Sequence, residues 1–201
     1  MSTPTISAKQ VAELRKATGA GMMDCKNALA ETSGDFDAAV ELLRVRLGDK
    51  ALKVGGREAT EGTVASYIHS NGKVGVLVEV DCNTDFVARN DDFTGFAKEI
   101  ALQVAAARPE FVSEEEVPEE RRSEELRIAM SQMENVPEQA RERAAQGKLG
   151  KWLDEVVLLR QQHVNQDKHA GKTIEQLRAE LSAKTGENVV IKRFARFEVG
   201  V

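Results

Sequence analysis

The sequence predicts an α+β fold: a three-helix N-terminal module, then a core in which a small antiparallel sheet, made of a hairpin and a C-terminal strand, packs with helices. Three patterns carry this. Apolar residues recur at helical spacing in three runs before Gly48, two β-rich runs flank Ser70-Asn71-Gly72-Lys73, and strand-like alternation returns from Val189 to Val199.

Ser7 stands where a helix cap belongs, with Gln10 three residues on and Ile6 and Val11 placed to staple across the start, so the first helix is predicted over Ala8 to Thr18. Gly19 and Gly21 permit a tight turn. Met22, Met23, Lys26, Leu29 and Ala30 then follow helical spacing until Ser33-Gly34 halts the run. Asp35 caps a third helix, whose stripe of Phe36, Ala39, Val40, Leu43 and Leu47 ends near Gly48. So small a unit has a thin core, which favours a docking module over an independent enzyme. Asp49 to Gly62 reads as a linker around Gly55-Gly56, with room for another helical turn before Val54. We therefore expect residues 1–54 to form the helical module with the start of its linker, and residues 55–201 the α+β core.

Thr63 to His69 and Val74 to Asp81 form the predicted hairpin, and Asn71-Gly72 between them predicts a type I′ turn. Val74, Val76, Val78 and Val80 make an apolar face that needs a cover. Phe93, Phe96, Ala97, Ile100, Ala101 and Val104 supply a helix for it, after possible caps Asp91 and Asp92 and ending before Pro109. Ser113 to Glu120 reads as an acidic, solvated linker. Pro118 and Pro137 open polar amphipathic helices around Glu119 to Met133 and Glu138 to Gln146, with Gly147 and Gly150 punctuating the next turn. Trp152 to Leu159 suits helix, strand, or helix passing into strand. Thr173 to Lys184 is a helix on Ile174, Leu177 and Leu181, stopped by Gly186, and the strand from Val189 to Val199 is expected to join the hairpin.

Hydrophobic residues at 41% and charged residues at 30% place the chain among globular proteins, and aromatics at 4% imply a core of aliphatic side chains and alanine. A net charge of -5 argues against a direct nucleic-acid partner, leaving only a local basic patch at Lys192, Arg193 and Arg196. Cys25 and Cys82 lie far apart, and His69, His163 and His169 have no ligand spacing, so neither a disulfide framework nor a metal site is expected. Without an apolar run near ~18 residues or a signal-peptide core, no membrane contact and a cytoplasmic location are expected.

The stretch from Glu79 to Asn90 leaves the hairpin and sets Asp85 beside Phe86, a fixed charge next to an apolar wedge. On residue types alone a structural role comes first: Phe86 plugs the open end of the hairpin and Asp85 caps the following turn. Cys82 and the Asp85 region raise the alternative of a small hydrolase or thiol enzyme, but no nucleophile, base and orienter set accompanies them.

Two segments carry a family resemblance, Leu14-Arg15-Lys16-Ala17-Thr18-Gly19-Ala20-Gly21-Met22-Met23-Asp24-Cys25-Lys26-Asn27-Ala28-Leu29 and Thr84-Asp85-Phe86-Val87-Ala88-Arg89. Both resemble the elongation factor Ts family, as does the ending Arg193 to Gly200, and the order of parts is similar over nearly the whole chain. The resemblance implies a ubiquitin-associated-like N-terminal module and nucleotide exchange on elongation factor Tu, the GTPase that delivers aminoacyl-tRNA. It implies no covalent chemistry and no cofactor, since GDP, GTP and magnesium belong to the partner. Carried across, Thr84, Asp85, Phe86 and Val87 become the partner-binding loop that disturbs the magnesium site, with Phe86 the wedge and Asp85 the polar anchor. Arg15, Met22 and Met23 become a second contact, although the two methionines suit the bundle core equally. Asp81, Asn83 and Gln161-Gln162-His163-Val164 depart from the family's usual pattern. At 201 residues the chain resembles the family's short form, which implies a homodimer through the core.

Overall fold

The computed structural model describes residues 6–18, 20–133 and 137–200, with side chains described for all of these except 47, 50, 51, 52, 138 and 139. Helix α1 (Ala8–Thr18) opens on a reciprocal cap: the Gln10 N–H donates to Ser7 Oγ at 3.2 Å, and the Ser7 N–H to Gln10 Oε1 at 3.0 Å. Helix α2 (Met22–Glu31) is followed by Ser33 and Gly34 in the left-handed region, and the Gly34 N–H returns to the Leu29 carbonyl at 2.7 Å. Asp35 Oδ1 accepts from the Ala38 N–H at 3.0 Å and starts α3 (Phe36–Val54).

Leu14, Cys25, Leu29, Ala39 and Leu43 join in one buried cluster, with Ile6 and Phe36 packed against it. Helix α3 runs past its predicted end. A single interior glycine such as Gly48 costs only about 1 kcal/mol, and the helix gains a buried Val54 at its far end. The turn residue Gly19 and the Leu47 side chain lie outside the described residues.

Strands β1 (Glu61–Ile68) and β2 (Val74–Cys82) form the hairpin, and β3 (Val190–Glu198) joins it beside β2, in the order β1-β2-β3. The turn is not type I′, which needs two left-handed residues. Only Gly72 takes positive φ (68°), and its N–H donates to the His69 carbonyl at 2.7 Å. Asn71 contributes through its side chain instead, with Oδ1 accepting the Lys73 N–H at 3.0 Å. At that same end the Val199 N–H donates to the Lys73 carbonyl at 2.9 Å, which sets the register of β3.

Beyond β2 come a single helical turn, α4 (Asp85–Ala88), and α5 (Asp91–Ala107). Asn90 caps α5 rather than Asp91 or Asp92, since its Oδ1 accepts the Asp92 N–H at 2.8 Å. Phe93, Phe96, Ala97, Ile100, Ala101 and Val104 are all buried, as the spacing predicts. The end of α5 is tied to β3 by Arg196 donating to the Ala105 carbonyl, and Arg108, just past the helix, pairs with Glu198 at 2.8 Å.

Glu114–Glu116 is a 3-10 turn rather than a solvated linker. Glu116 accepts the Val112 N–H at 2.9 Å, and Glu114 pairs with Arg160. Helices α6 (Glu119–Ser131) and α7 (Glu138–Val156) pack on each other. Helix α7 continues through Gly147 and Gly150, where a turn is predicted. Leu149, Trp152, Leu153 and Val156 share one face and cluster with Phe111 and Val117, which outweighs about 1 kcal/mol per glycine. Val157 is then extended, bridged to Phe111, and Leu158–Arg160 is a 3-10 turn, so the ambiguous apolar run is helix passing into irregular chain. A short α8 (Gln166–His169), which has no signal in the sequence, precedes α9 (Ile174–Thr185).

The chain divides into two compact units. One takes the stretch up to Gly62, Asp81–Phe93 and Leu177–Val190; the other takes Thr63–Val80, Thr94–Gln176 and the stretch from Ile191 on. Among the described residues no helix is long and apolar enough to cross a membrane.

Because Gly72 alone holds the left-handed position of the turn, Gly72→Ala should destabilise the protein by about 1 kcal/mol, read as a lowered urea midpoint. An unchanged midpoint would contradict this account of the turn.

Candidate functional site

Where β2 ends at Cys82, the chain makes a short run of polar contacts and then one helical turn. Thr84 Oγ1 faces the Val87 N–H at 3.5 Å as the cap of α4, and the Ala88 N–H closes the turn on the Thr84 carbonyl at 3.1 Å. Glu187 holds the start of this loop. Its Oε2 accepts the Asn83 and Thr84 N–H groups, each at 3.0 Å, and its Oε1 accepts the Thr84 hydroxyl at 2.6 Å. Asn83 Oδ1 accepts the Asn188 N–H at 2.8 Å, and Asn83 Nδ2 donates to the Glu58 carbonyl. Asn188 Nδ2 in turn donates to the carbonyls of Gly55, at 3.1 Å, and Arg57, at 2.9 Å.

On this polar clamp stands an apolar side chain. Phe86 is 84% exposed, so it does not plug the hairpin, and Thr84 rather than Asp85 caps the turn. Asp85 pairs with Arg89 at 3.1 Å on the surface, an interaction worth a few tenths of a kcal/mol. Val87 is half-buried and Ala88 buried, so the turn roots itself through these two and turns Phe86 outward.

Met22 and Met23 are 60% and 65% exposed, and Arg15 is exposed as well, so the core of the helical module does not use these methionines. Adjacent positions on a helix are about 100° apart, and here both point outward. Arg15 and Met22 meet in a groove of about 490 Å³ completed by Ala8, Ala12, Lys16 and Lys184. Lys184 is paired with Asp92 at 2.6 Å.

Three other candidates resolve differently. Cys82 is fully buried, and its Sγ–H donates to the Thr84 carbonyl at 3.2 Å. Burial, with the Glu187 charge nearby, pushes the thiol up to about 11, which leaves it neutral and inaccessible rather than nucleophilic. In the basic patch, Arg193 is paired with Glu79 at 2.5 Å and Arg196 with Glu198 at 2.7 Å, while Lys192 is exposed. His163 and His169, which have no ligand spacing in sequence, lie with ring centroids 4.2 Å apart and planes tilted by 56°, and His169 Nε2 lies 3.0 Å from Glu99. The Asn165 N–H donates to His163 Nδ1 at 3.0 Å, which puts the proton of the neutral ring on Nε2. Burial, reinforced by His169, lowers the His163 pKa, so that ring is neutral near pH 7.

Glu187 and Asn188 escape the reading of the sequence. Their local signal is only a polar pair after Gly186, between a helix and a strand; what they hold lies 104 and 105 residues away.

The family model described as Elongation factor TS matches residues 6–201. The chain is 50% identical over 197 residues to the elongation factor Ts of Desulforamulus reducens, covering 97% of this chain and 89% of that one. It is 53% identical to that of Anaeromyxobacter dehalogenans over the same shares. To that of Caldanaerobacter subterraneus subsp. tengcongensis it is 48% identical, over 97% of both chains. With a matching family model over residues 6–201 and relatives near half identity over almost their whole length, the chain belongs to the elongation factor Ts family.

Proposed function

We propose that this chain is the guanine nucleotide exchange factor of elongation factor Tu in translation elongation, acting in the cytoplasm by protein–protein binding without covalent chemistry or a cofactor of its own. It engages the GDP complex, disturbs the magnesium and phosphate site, and lets GDP leave so that GTP can bind. One observation carries the assignment of the working residues: Phe86 stands 84% exposed on a turn whose backbone is fixed on both sides. An exposed aromatic on a fixed turn is a wedge that loses little conformational entropy on entering another surface.

Magnesium neutralises the nucleotide phosphates and demands near-ideal oxygen geometry, so a small displacement of its ligands weakens both metal and nucleotide. Phe86 supplies the displacement, Asp85 the polar contact beside it, and Thr84 and Val87 the frame of the turn. Arg15, Met22 and Met23 form the second contact, where methionine offers adaptable apolar surface. Residues 1–54 serve mainly to dock and residues 55–201 carry the wedge and the self-association surface. Exchange works because the factor prefers the empty GTPase, and each ~1.4 kcal/mol of that preference changes nucleotide affinity tenfold, reciprocally.

Self-association has its own support. Val64, Ile68, Leu77 and Phe197 are exposed along the three strands, and Val199 just past β3. Ile68 Cδ1 lies 3.1 Å from where a Cβ on Gly75 would stand, so it covers the neighbouring strand at that glycine. A large apolar sheet face suits a second copy of the same chain about a two-fold axis.

Stopped-flow release of a fluorescent GDP from elongation factor Tu tests the exchange reading. Wild type should accelerate release, Asp85→Ala and Phe86→Ala should each lose about tenfold or more, and Phe86→Ala should keep wild-type stability within about 0.5 kcal/mol because its ring is exposed. A wild-type chain without effect defeats the function, and two fully active variants defeat the wedge. For the dimer, light scattering at micromolar concentration should give twice the 22.0 kDa chain mass, and Leu77→Glu should return it to one; a wild-type monomer rules the dimer out.

A further inference from the structure

We infer that Glu187 is a positioning residue for nucleotide exchange: through Asn83 and Thr84 it sets where the Asp85–Phe86 turn stands, without itself touching the partner GTPase. The inference rests on the exchange reading above and adds a residue to it.

The geometry singles Glu187 out. Its carboxylate takes three hydrogen bonds from two consecutive residues, Asn83 N–H, Thr84 N–H and the Thr84 hydroxyl, at 3.0, 3.0 and 2.6 Å. Both backbone donors go to the same oxygen, so they fix the chain's direction as it leaves β2. The hydroxyl bond fixes the Thr84 rotamer, because the proton goes to Glu187 and the lone pair is left to face the Val87 N–H at 3.5 Å. Thr84 therefore caps α4 in an orientation that Glu187 dictates, and Phe86 sits two residues further along that turn.

Val87 and Ala88 root the far side of the turn, and its start at Asn83 and Thr84 is left to polar contacts. Phe86 has no packing of its own to hold it, being 84% exposed, and Asp85 has a surface ion pair with Arg89, which is worth little. What stabilises the approach to the wedge is polar: Glu187 on Asn83 and Thr84, and Asn188 on the Asn83 side chain at 2.8 Å. Both anchors precede β3, so the strand that completes the sheet also delivers the clamp. An error of about 1 Å in placing a reacting group can cost two orders of magnitude in rate, and a wedge is under the same demand. Charge is not the operative property, since a glutamine at 187 can place its carbonyl where Oε2 accepts the two N–H groups and reverse the third bond, its amide N–H donating to Thr84 Oγ1, whose other lone pair still faces the Val87 N–H.

The test compares GDP release from elongation factor Tu, at saturating factor, for wild type, Glu187→Ala, Glu187→Gln, Phe86→Ala and the Glu187→Ala/Phe86→Ala double variant. Glu187→Ala should lower the maximal release rate about tenfold or more while leaving the half-saturating concentration within about threefold. Glu187→Gln should return to within about threefold of wild type. The double variant should be no slower than Phe86→Ala alone, because a clamp has nothing to position once the wedge is gone. Glu187→Ala at the wild-type rate overturns the inference. So does a double variant whose defects multiply, or a Glu187→Gln as slow as Glu187→Ala. Should Glu187→Ala fail to fold, Glu187→Asp, one methylene short of its donors, takes its place with the same expected pattern. A wild-type chain that does not speed release removes the exchange reading itself, an outcome separate from all of these.

Discussion

The pairing of β3 on β2 is the constraint on which the rest depends. It brings the last strand beside the middle one, so the end of β2 and the approach to β3 emerge side by side although Asn83 and Glu187 are 104 residues apart. Closing a loop of that length costs roughly 4 kcal/mol in chain entropy. Three hydrogen bonds to a half-exposed carboxylate, each contributing about 1 kcal/mol net, do not offset this by themselves. The sheet does, by burying Val76, Val78, Val80 and Ile191. The clamp on the loop is therefore a consequence of the sheet, and it exists only once the sheet is made.

A second constraint follows from leaving Phe86 outside. Burying a phenylalanine contributes on the order of 1.5–3 kcal/mol, and this chain forgoes it at a position where Ala88, two residues on, is buried. With its largest apolar side chain in solvent, the loop has Val87 and Ala88 to root the far side of its turn and no apolar side chain at its Asn83–Thr84 start. Hydrogen bonds are what remains. That explains why Asn83, Thr84, Glu187 and Asn188 crowd around the base of α4, with the Gly55 and Arg57 carbonyls drawn in through Asn188. Polar satisfaction replaces packing at the base of a turn whose Phe86 is left exposed.

The legible parts of the sequence are those decided by local physics. The capping box at Ser7 and Gln10, the Asp35 cap and the apolar stripe of α5 are each set within a few residues, and the structure has them where the pattern places them. Misreadings occur where tertiary burial outweighs a local rule. Helix α7 passes through Gly147 and Gly150 because its Leu149 to Val156 face is covered, and α3 passes Gly48 to bury Val54. The Asn71-Gly72 pair marks the hairpin correctly but not its turn type, because Asn71 acts through its side chain. Of the candidate site, the loop is legible as a motif and its exposure is not. Periodicity has nothing to say about one helical turn, and no local pattern links Glu187 to Thr84.

The clamp also bears on how an exchange factor can be both tight and transient. A floppy wedge reaches the same contacts but loses side-chain and loop entropy on insertion, about 0.5–1.5 kcal/mol for each ordered side chain. That loss falls on the complex with the empty GTPase, the one whose stability drives nucleotide release. Ordering the turn beforehand moves the cost into folding, where the sheet has already met it. Because coupling between factor and nucleotide is reciprocal, each tenfold gained against GDP is also tenfold available to GTP when it expels the factor. In the proposed exchange mechanism, rigidity at Thr84 therefore strengthens release without trapping the complex, and the exposure of Phe86 is what that mechanism uses.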